Sequence, residues 1–404
     1  MNLVDFFRNP RQSDPQVDGV LLADFCAAEA ARALAFHQSF REYAPTPLAS
    51  LDALATDLGL GGIFLKDESK RFGLNAFKVL GGSYAIGRIL AERLGRPIEE
   101  LTRDALASPA VREKIGAITF VTATDGNHGR GVAWTARQIG QKAVVFMPRG
   151  SLRERVDNIR ATGAECHVTE HNYDDSVRIA NEYAERNGGV MVQDTAWEGY
   201  EDIPRWIMQG YMTVAVEILE QLRGLGVDAP THLFLQAGVG SFAGALLGGM
   251  AAALGERTPV TAIVEPHQAN CIFRSLRAQD GHPRAVTGEM RTIMAGLACG
   301  EPSIVSWGVL RDHAAAAVSC ADRIAANGMR ILAAPRPGDP AIVSGESGAV
   351  TTGVLEYIMK HPDGRGIAAA LSLTRESRVL LISTEGDTSP ETYRDIVWYG
   401  NNFD

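Results

Sequence analysis

The stretch Ile118-Thr119-Phe120-Val121-Thr122-Ala123-Thr124-Asp125-Gly126-Asn127-His128-Gly129-Arg130 decides the fold. Ile118 to Thr124 is an apolar, β-rich run, as expected for a strand buried on both faces. The polar, glycine-bearing segment after it opens a helix-like stretch that ends near Gly140. The same alternation then repeats. Lys142 to Met147 reads as the next strand, stopped by Pro148 and Gly150, and Ser151 is expected to cap a charged helix ending near Gly163. A third strand, Glu165 to Val168, leads to a helix through Ile179 and Tyr183, and Gly189 to Val192 begins a fourth.

Further along come a long helix from Ile203 to Leu222, a strand His232 to Leu235, a glycine turn, a helix Phe242 to Leu254 and a strand Val260 to Val264. The last strand, Arg378 to Ser383, is nearly all apolar and suits the middle of a sheet. Strands alternating with helices mean mainly parallel sheets covered on both faces, an α/β protein.

Composition narrows the function. The chain has 404 residues, 46% of them hydrophobic and 22% charged, ordinary for a globular enzyme with a large core. Its net charge of −9 argues against nucleic acid and anionic membranes and favours a small soluble substrate. The apolar N-terminal stretch from Val20 to Phe36 carries Asp24, Glu29 and Arg32, too many charges for a membrane span or a signal segment. Cys26, Cys166, Cys271, Cys299 and Cys320 form no C-x-x-C pair and no His/Cys ligand spacing, so neither a metal site nor a disulfide framework is expected, and the cytoplasm is the expected compartment.

Ligands of open α/β sheets bind at loops after the carboxyl ends of strands. Four such segments carry chemistry: Asn75-Ala76-Phe77-Lys78, Thr124 to Gly129, Gln236-Ala237-Gly238-Val239-Gly240-Ser241, and Ser383-Thr384-Glu385-Gly386-Asp387. The third is a strand, a glycine turn and a helix start, which offers free backbone N–H groups to a phosphate. It also fits a dinucleotide fingerprint through Gly238, Gly240 and Ala243, with Glu265 as ribose-binding acid, so a nicotinamide-dependent oxidoreductase is a rival reading. Lys78 lies among Ala76, Phe77, Val79, Leu80, Gly81 and Gly82. Desolvation there is expected to lower its basicity and suit it to Schiff-base chemistry.

Asn-Ala-Phe-Lys-Val-Leu-Gly-Gly at 75–82, Thr-Asp-Gly-Asn-His-Gly at 124–129 and Ala-Gly-Val-Gly-Ser at 237–241 resemble, in that order, the signatures of fold-type II pyridoxal-phosphate enzymes, the group of the tryptophan synthase β-chain and threonine dehydratase. Within it, Asp125, the segment Gln193 to Tyr200 and Ser-Thr-Glu-Gly-Asp-Thr at 383–388 resemble the diaminopropionate ammonia-lyases. The resemblance implies two three-layer α/β domains with mainly parallel sheets: a large cofactor-binding one from 1–88 and 198–404, and a small one, 89–197, inserted into it. It implies that Lys78 carries pyridoxal 5'-phosphate, that Phe77 packs on the ring, and that Asn127 meets the ring hydroxyl. Gly238, Val239, Gly240 and Ser241 would hold the phosphate, and Ser383 or Thr384 would face the pyridine nitrogen, with Glu346 and Ser347 behind them. A neutral hydroxyl there favours β-elimination. A homodimer is also implied.

A carboxylate at position 125, where related dehydratases carry a small hydroxyl residue, is costly unless a cation pairs with it. A β-ammonium on the substrate would supply that cation, with Asp125 and Asp194 forming the pocket; the competing reading is that each aspartate caps a helix. The implied reaction is α,β-elimination of 2,3-diaminopropionate to pyruvate and two ammonia. Lys78 would take the Cα proton of the L-isomer and Asp125 that of the D-isomer, with His128 in a supporting role. The alternative within the group is a serine or threonine dehydratase. Cys271 and Cys299 fall where the family implies a mobile cover over the site, and a reducing compartment argues against a permanent bond between them.

Overall fold

The computed structural model describes residues 2–13 and 22–403; Val20 and Leu21, in the stretch read above as non-spanning, lie outside the described residues. Eleven strands are placed: β1 (Val4–Arg8), β2 (Leu48–Ser50), β3 (Gly62–Asp67), β4 (Thr119–Ala123), β5 (Lys142–Met147), β6 (Glu165–Val168), β7 (Val190–Met191), β8 (His232–Gln236), β9 (Val260–Pro266), β10 (Ala316–Cys320) and β11 (Arg378–Ser383). They form a seven-stranded sheet in the order β1-β10-β9-β8-β11-β3-β2 and a four-stranded sheet in the order β6-β5-β4-β7. The small sheet is parallel throughout. In the large one β10, β9, β8, β11 and β3 run parallel, and the edge strands β1 and β2 are antiparallel to their neighbours.

Most expected elements stand within a residue or two of their sequence limits. Strand β3 has no counterpart in the sequence reading, because Lys66 and Asp67 interrupt its apolar run. Lys66 is nevertheless fully buried, its Nζ 2.7 Å from Glu217 Oε2. Strand β10 is Ala-Ala-Val-Ser-Cys, too small in its side chains to stand out as a strand. Ser151 does not cap: its Oγ donates to Pro148 O at 2.7 Å and the helix Arg153–Arg160 begins two residues later.

The helices Val79–Leu94 and Asp202–Gly224 cross at glycines. A Cβ on Gly81 would lie 2.6 Å from Ile207 Cγ2, and one on Gly210 would lie 2.5 Å from Leu80 O. Only backbone-to-backbone approach at this crossing lets Tyr211 reach the start of the first helix, where its ring meets Phe77 at 4.9 Å. The expected boundary between residues 88 and 89 falls inside this first helix. No described helix is long and apolar enough to cross a membrane.

Candidate active site

The carboxyl ends of β4, β7, β8 and β11 converge on one cleft with about 660 Å³ of empty space. Its lining includes Phe77, Lys78, Asp125, Asn127, His128, Asp194, Gly238, Val239, Gly240, Ser241 and Thr384, so loops far apart in sequence meet here. Ser383 is the exception. Its Oγ donates to Ser344 Oγ at 2.7 Å and it does not line the cleft.

Lys78 begins its helix on a turn laced to the segment after β11. Phe77 N–H donates to Thr384 O at 3.2 Å and Gly386 N–H to Asn75 O at 3.0 Å. Asn75 takes the left-handed φ of 60°, which turns the chain into the helix. The Lys78 ammonium lies 2.5 Å from Asp194 Oδ2, and Tyr173 OH donates to Asp194 Oδ1 at 3.2 Å. The expected loss of basicity at Lys78 is not what the structure shows. Burial works against the ammonium, but Asp194, Tyr211 and Asp125 together hold its pKa above the ordinary lysine value. Burial alone would raise Asp194; the Lys78 ammonium, by charge and hydrogen bond, instead brings it down to about 2.

The capping alternative fails for both aspartates. Gly126 is the N-cap of the helix Asn127–Gln138, with no side-chain cap. Gly126 N–H donates to Thr124 Oγ1 at 2.9 Å, while Asp125 Oδ2 lies 3.5 Å from Arg155 Nη1. Burial raises the Asp125 pKa, opposed by Lys78 and Arg155. His128 Nε2 must carry its proton, because Val192 O at 2.8 Å can only accept. Its Nδ1 lies 4.0 Å from Asp194 Oδ2, and burial lowers the pKa of the ring, opposed by Asp194.

The helix Ser241–Leu254 starts at the cleft with no side-chain cap, leaving its first N–H groups for an anion. Gly240, at φ 93°, makes the turn, and a Cβ on Gly238 would lie 3.1 Å from Cys299 Sγ. On the other flank of Gly238, Cys271 Sγ approaches Gly238 O at 3.7 Å, and both cysteines are free thiols. Glu265 is not positioned as a ribose acid. It is buried and accepts from Ile272 N–H and Phe273 N–H at 2.9 and 2.6 Å, which removes the acid on which the nicotinamide reading relied.

Several lining residues, two of them inside the segments singled out from the sequence, were given no role of their own there. Gln236 Nε2 donates to Ile382 O at 2.9 Å, Ser347 O at 3.1 Å and Thr384 Oγ1 at 2.9 Å. Thr384 therefore accepts through its oxygen and keeps its own hydroxyl proton for a partner in the cleft. Glu385 Oε2 accepts from Asn127 Nδ2 at 2.6 Å and Oε1 accepts from Ser347 N–H at 3.2 Å. Tyr173 and Tyr211 had no local signal, since aromatic residues on helices ordinarily belong to a core.

Four lining atoms are buried without a partner among the described residues: His128 Nδ1, Tyr211 OH, Gln236 Oε1 and Ser347 Oγ. Polar atoms held dry in this way need a ligand that satisfies them. Together with an anion-ready helix start and a buried lysine they fit a phosphorylated, polar ring.

The chain belongs to the pyridoxal-phosphate dependent enzyme family, whose model matches residues 40–374. Its architecture is that of the fold-type II members, and its cofactor is pyridoxal phosphate. Among its relatives is the diaminopropionate ammonia-lyase of Salmonella typhimurium, 56% identical over 91% of this chain and 92% of that protein. The diaminopropionate ammonia-lyase of Escherichia coli K12 is 52% identical over 94% of this chain and 93% of its own length. The crystal structure of the Escherichia coli enzyme in complex with D-serine matches with a TM-score of 0.91 at 48% identity, covering 99% of this chain and 98% of that one.

Proposed function

We propose that the protein is a diaminopropionate ammonia-lyase, converting 2,3-diaminopropionate, in its L- and D-forms, to pyruvate and two ammonia by α,β-elimination. The observation that carries this reading is the Lys78–Asp194 contact at 2.5 Å with Asp125 lining the same cleft: one lysine beside one buried and one partly buried carboxylate. A second ammonium on the substrate offsets the cost of burying the second carboxylate.

Bound pyridoxal phosphate supplies an electron sink for the pair left at Cα. Lys78 would hold it covalently, Phe77 would pack against its ring, and the backbone of Gly238 to Ser241 would hold its phosphate. Asn127 would meet its ring hydroxyl and Thr384 its ring nitrogen. Ser383 is engaged by Ser344 instead. The Lys78 amine accepts the Cα proton of the L-isomer, and Asp125 that of the D-isomer. Asp194 receives the β-ammonium and keeps its proton at hand as ammonia leaves. His128 lends its unprotonated Nδ1 to the same proton pool.

The two sheets support a division into a large and an inserted small domain, read as 1–88 with 198–404 and 89–197 although the first of these bounds cuts the helix Val79–Leu94, with the cleft between them as the place of closure on substrate. A homodimer in the cytoplasm completes the proposal, the latter supported by five free thiols. The test is the yield of ammonia and pyruvate from each isomer of diaminopropionate, with serine and threonine as controls. Two ammonia per pyruvate with slow controls is the expected result; fast serine or threonine turnover without diaminopropionate activity overturns the substrate.

A further inference from the structure

Arg155 stands in the helix Arg153–Arg160 after β5, and its side chain is buried. Its stem lies against the loop after β4, where a Cβ on Gly126 would come 3.2 Å from Arg155 Cδ. Its Nη1 is 3.5 Å from both Asp125 O and Asp125 Oδ2. From the other side, Nε donates to Ser389 Oγ at 3.2 Å and Nη2 to Thr388 Oγ1 at 3.4 Å. One guanidinium therefore joins the loop after the small sheet's β4 to the segment after the large sheet's β11.

The charge count around it explains why a cation is needed. The charges of Lys78, Arg155, Glu385 and Asp194 act on Asp125, which in turn acts on Tyr173 and His128, while Glu385, Glu346 and Glu154 act with Asp125 on Arg155. Lys78 is already held by Asp194. Without Arg155, the partly buried Asp125 would be left with Lys78 alone, which Asp194 already holds, and the buried Glu385 would lose its neighbouring cation, an arrangement that folded proteins avoid.

We propose that Arg155 is a positioning residue for Asp125, balancing its charge and aiming its carboxylate into the cleft for the Cα proton of the D-isomer. The inference rests on the reading of Asp125 as the D-side base. A base acts as its carboxylate, so loss of the neighbouring cation moves the acid limb of the D-reaction to higher pH. The L-reaction, which draws on the Lys78 amine, keeps its profile.

The test measures kcat/KM for both isomers on the full-length holoenzyme from about pH 6 to about pH 9, with the visible cofactor band confirming a loaded site. Arg155→Met is expected to move the acid limb of the D-reaction up by about one pH unit and to lower its kcat/KM at neutral pH about tenfold, with the L-reaction within about threefold of the parent. The double variant Thr388→Val with Ser389→Ala keeps the charge but frees the guanidinium, and is expected to lower the D-to-L ratio with the limb unmoved. Equal losses for the two isomers in Arg155→Met, or an unchanged D-to-L ratio in the double variant, overturn the proposal. Asp125→Asn separates the two layers. If it affects both isomers equally, the reading beneath falls; if it is D-selective while Arg155→Met is not, only the Arg155 role falls.

Discussion

Lys78 Nζ and Asp194 Oδ2 lie 2.5 Å apart, although 116 residues separate them in the chain. The lysine comes from a helix start beside the large sheet and the aspartate from the loop after β7 of the small one, so the pair spans the cleft. Lys78→Ala should abolish the visible band of lysine-bound cofactor; a retained band would remove Lys78 from its proposed role. Asp194→Ala should keep that band and lower kcat/KM for diaminopropionate by about 10²–10⁴-fold, as measured by pyruvate release.

Glu385 orients Asn127 through a 2.6 Å charge-assisted hydrogen bond. Glu385→Ala frees the Asn127 amide to turn away from the cleft. Cofactor affinity should fall about tenfold, equivalent to about 1.4 kcal/mol, in a titration of the apoenzyme with pyridoxal phosphate. Unchanged affinity would show that Asn127 keeps its orientation without Glu385.

Beneath the Lys78 turn lies a buried ionic cluster. Glu217 meets Lys66 Nζ at 2.7 Å and Arg71 Nη1 and Nη2 at 2.7 and 2.8 Å, and Arg71 also holds Glu68. This ties β3 and the turn after it to the helix Asp202–Gly224. Glu217→Ala leaves two buried cations short of a partner and should cost about 3–5 kcal/mol in urea unfolding. Glu217→Gln, which keeps the shape but not the charge, should also destabilise.

Acid sensitivity should begin at histidines. His37 Nε2 donates to Leu80 O at 2.9 Å and Nδ1 accepts from Thr213 at 2.8 Å, and burial pushes its pKa down to about 3. The folded state holds this ring neutral while the unfolded chain takes up a proton below about pH 6.5. Its contribution is therefore complete above that pH and falls by about 1.4 kcal/mol per unit as pH drops toward 3. Burial lowers His128, His232 and His313 as well, and these act in the same direction. Melting temperatures between about pH 7 and about pH 5 should fall less steeply in His37→Asn than in the parent; an identical slope would assign the effect to the other three.

Gly81→Ala tests the helix crossing. The added methyl would meet Tyr211 Cε1 and Ile207 Cγ2, both at 2.6 Å, and should cost about 1–3 kcal/mol. It should also weaken cofactor binding, because Tyr211 and Phe77 move together.

Where the chain alternates between apolar strand and capped or glycine-stopped helix, its elements were legible. Strands β5, β6 and β11 match the sequence limits to the residue, because their signals lie within a few neighbouring positions. Strand β3 was not legible: a lysine inside a buried strand makes sense only once Glu217, 151 residues away, is beside it. The glycine loops, Lys78 and both aspartates could be read as chemistry because each sits in a short motif. Ser383 and Thr384 could not be told apart until Ser344 and Gln236 were in place to engage one hydroxyl each.

The division follows the range of the forces. Backbone conformation, the alternation of strand and helix and the glycine turns that leave N–H groups free are set by neighbours along the chain, so the fold class was already written in the letters, while the cofactor was implied by the resemblance of three short motifs to a family. The basicity of Lys78, the burial of Arg155 and the work assigned to Tyr173, Tyr211, Gln236 and Glu385 depend on which charges and dipoles lie within a few ångströms in space. Electrostatics in a dry cleft takes its values from those distances, and only the folded chain provides them.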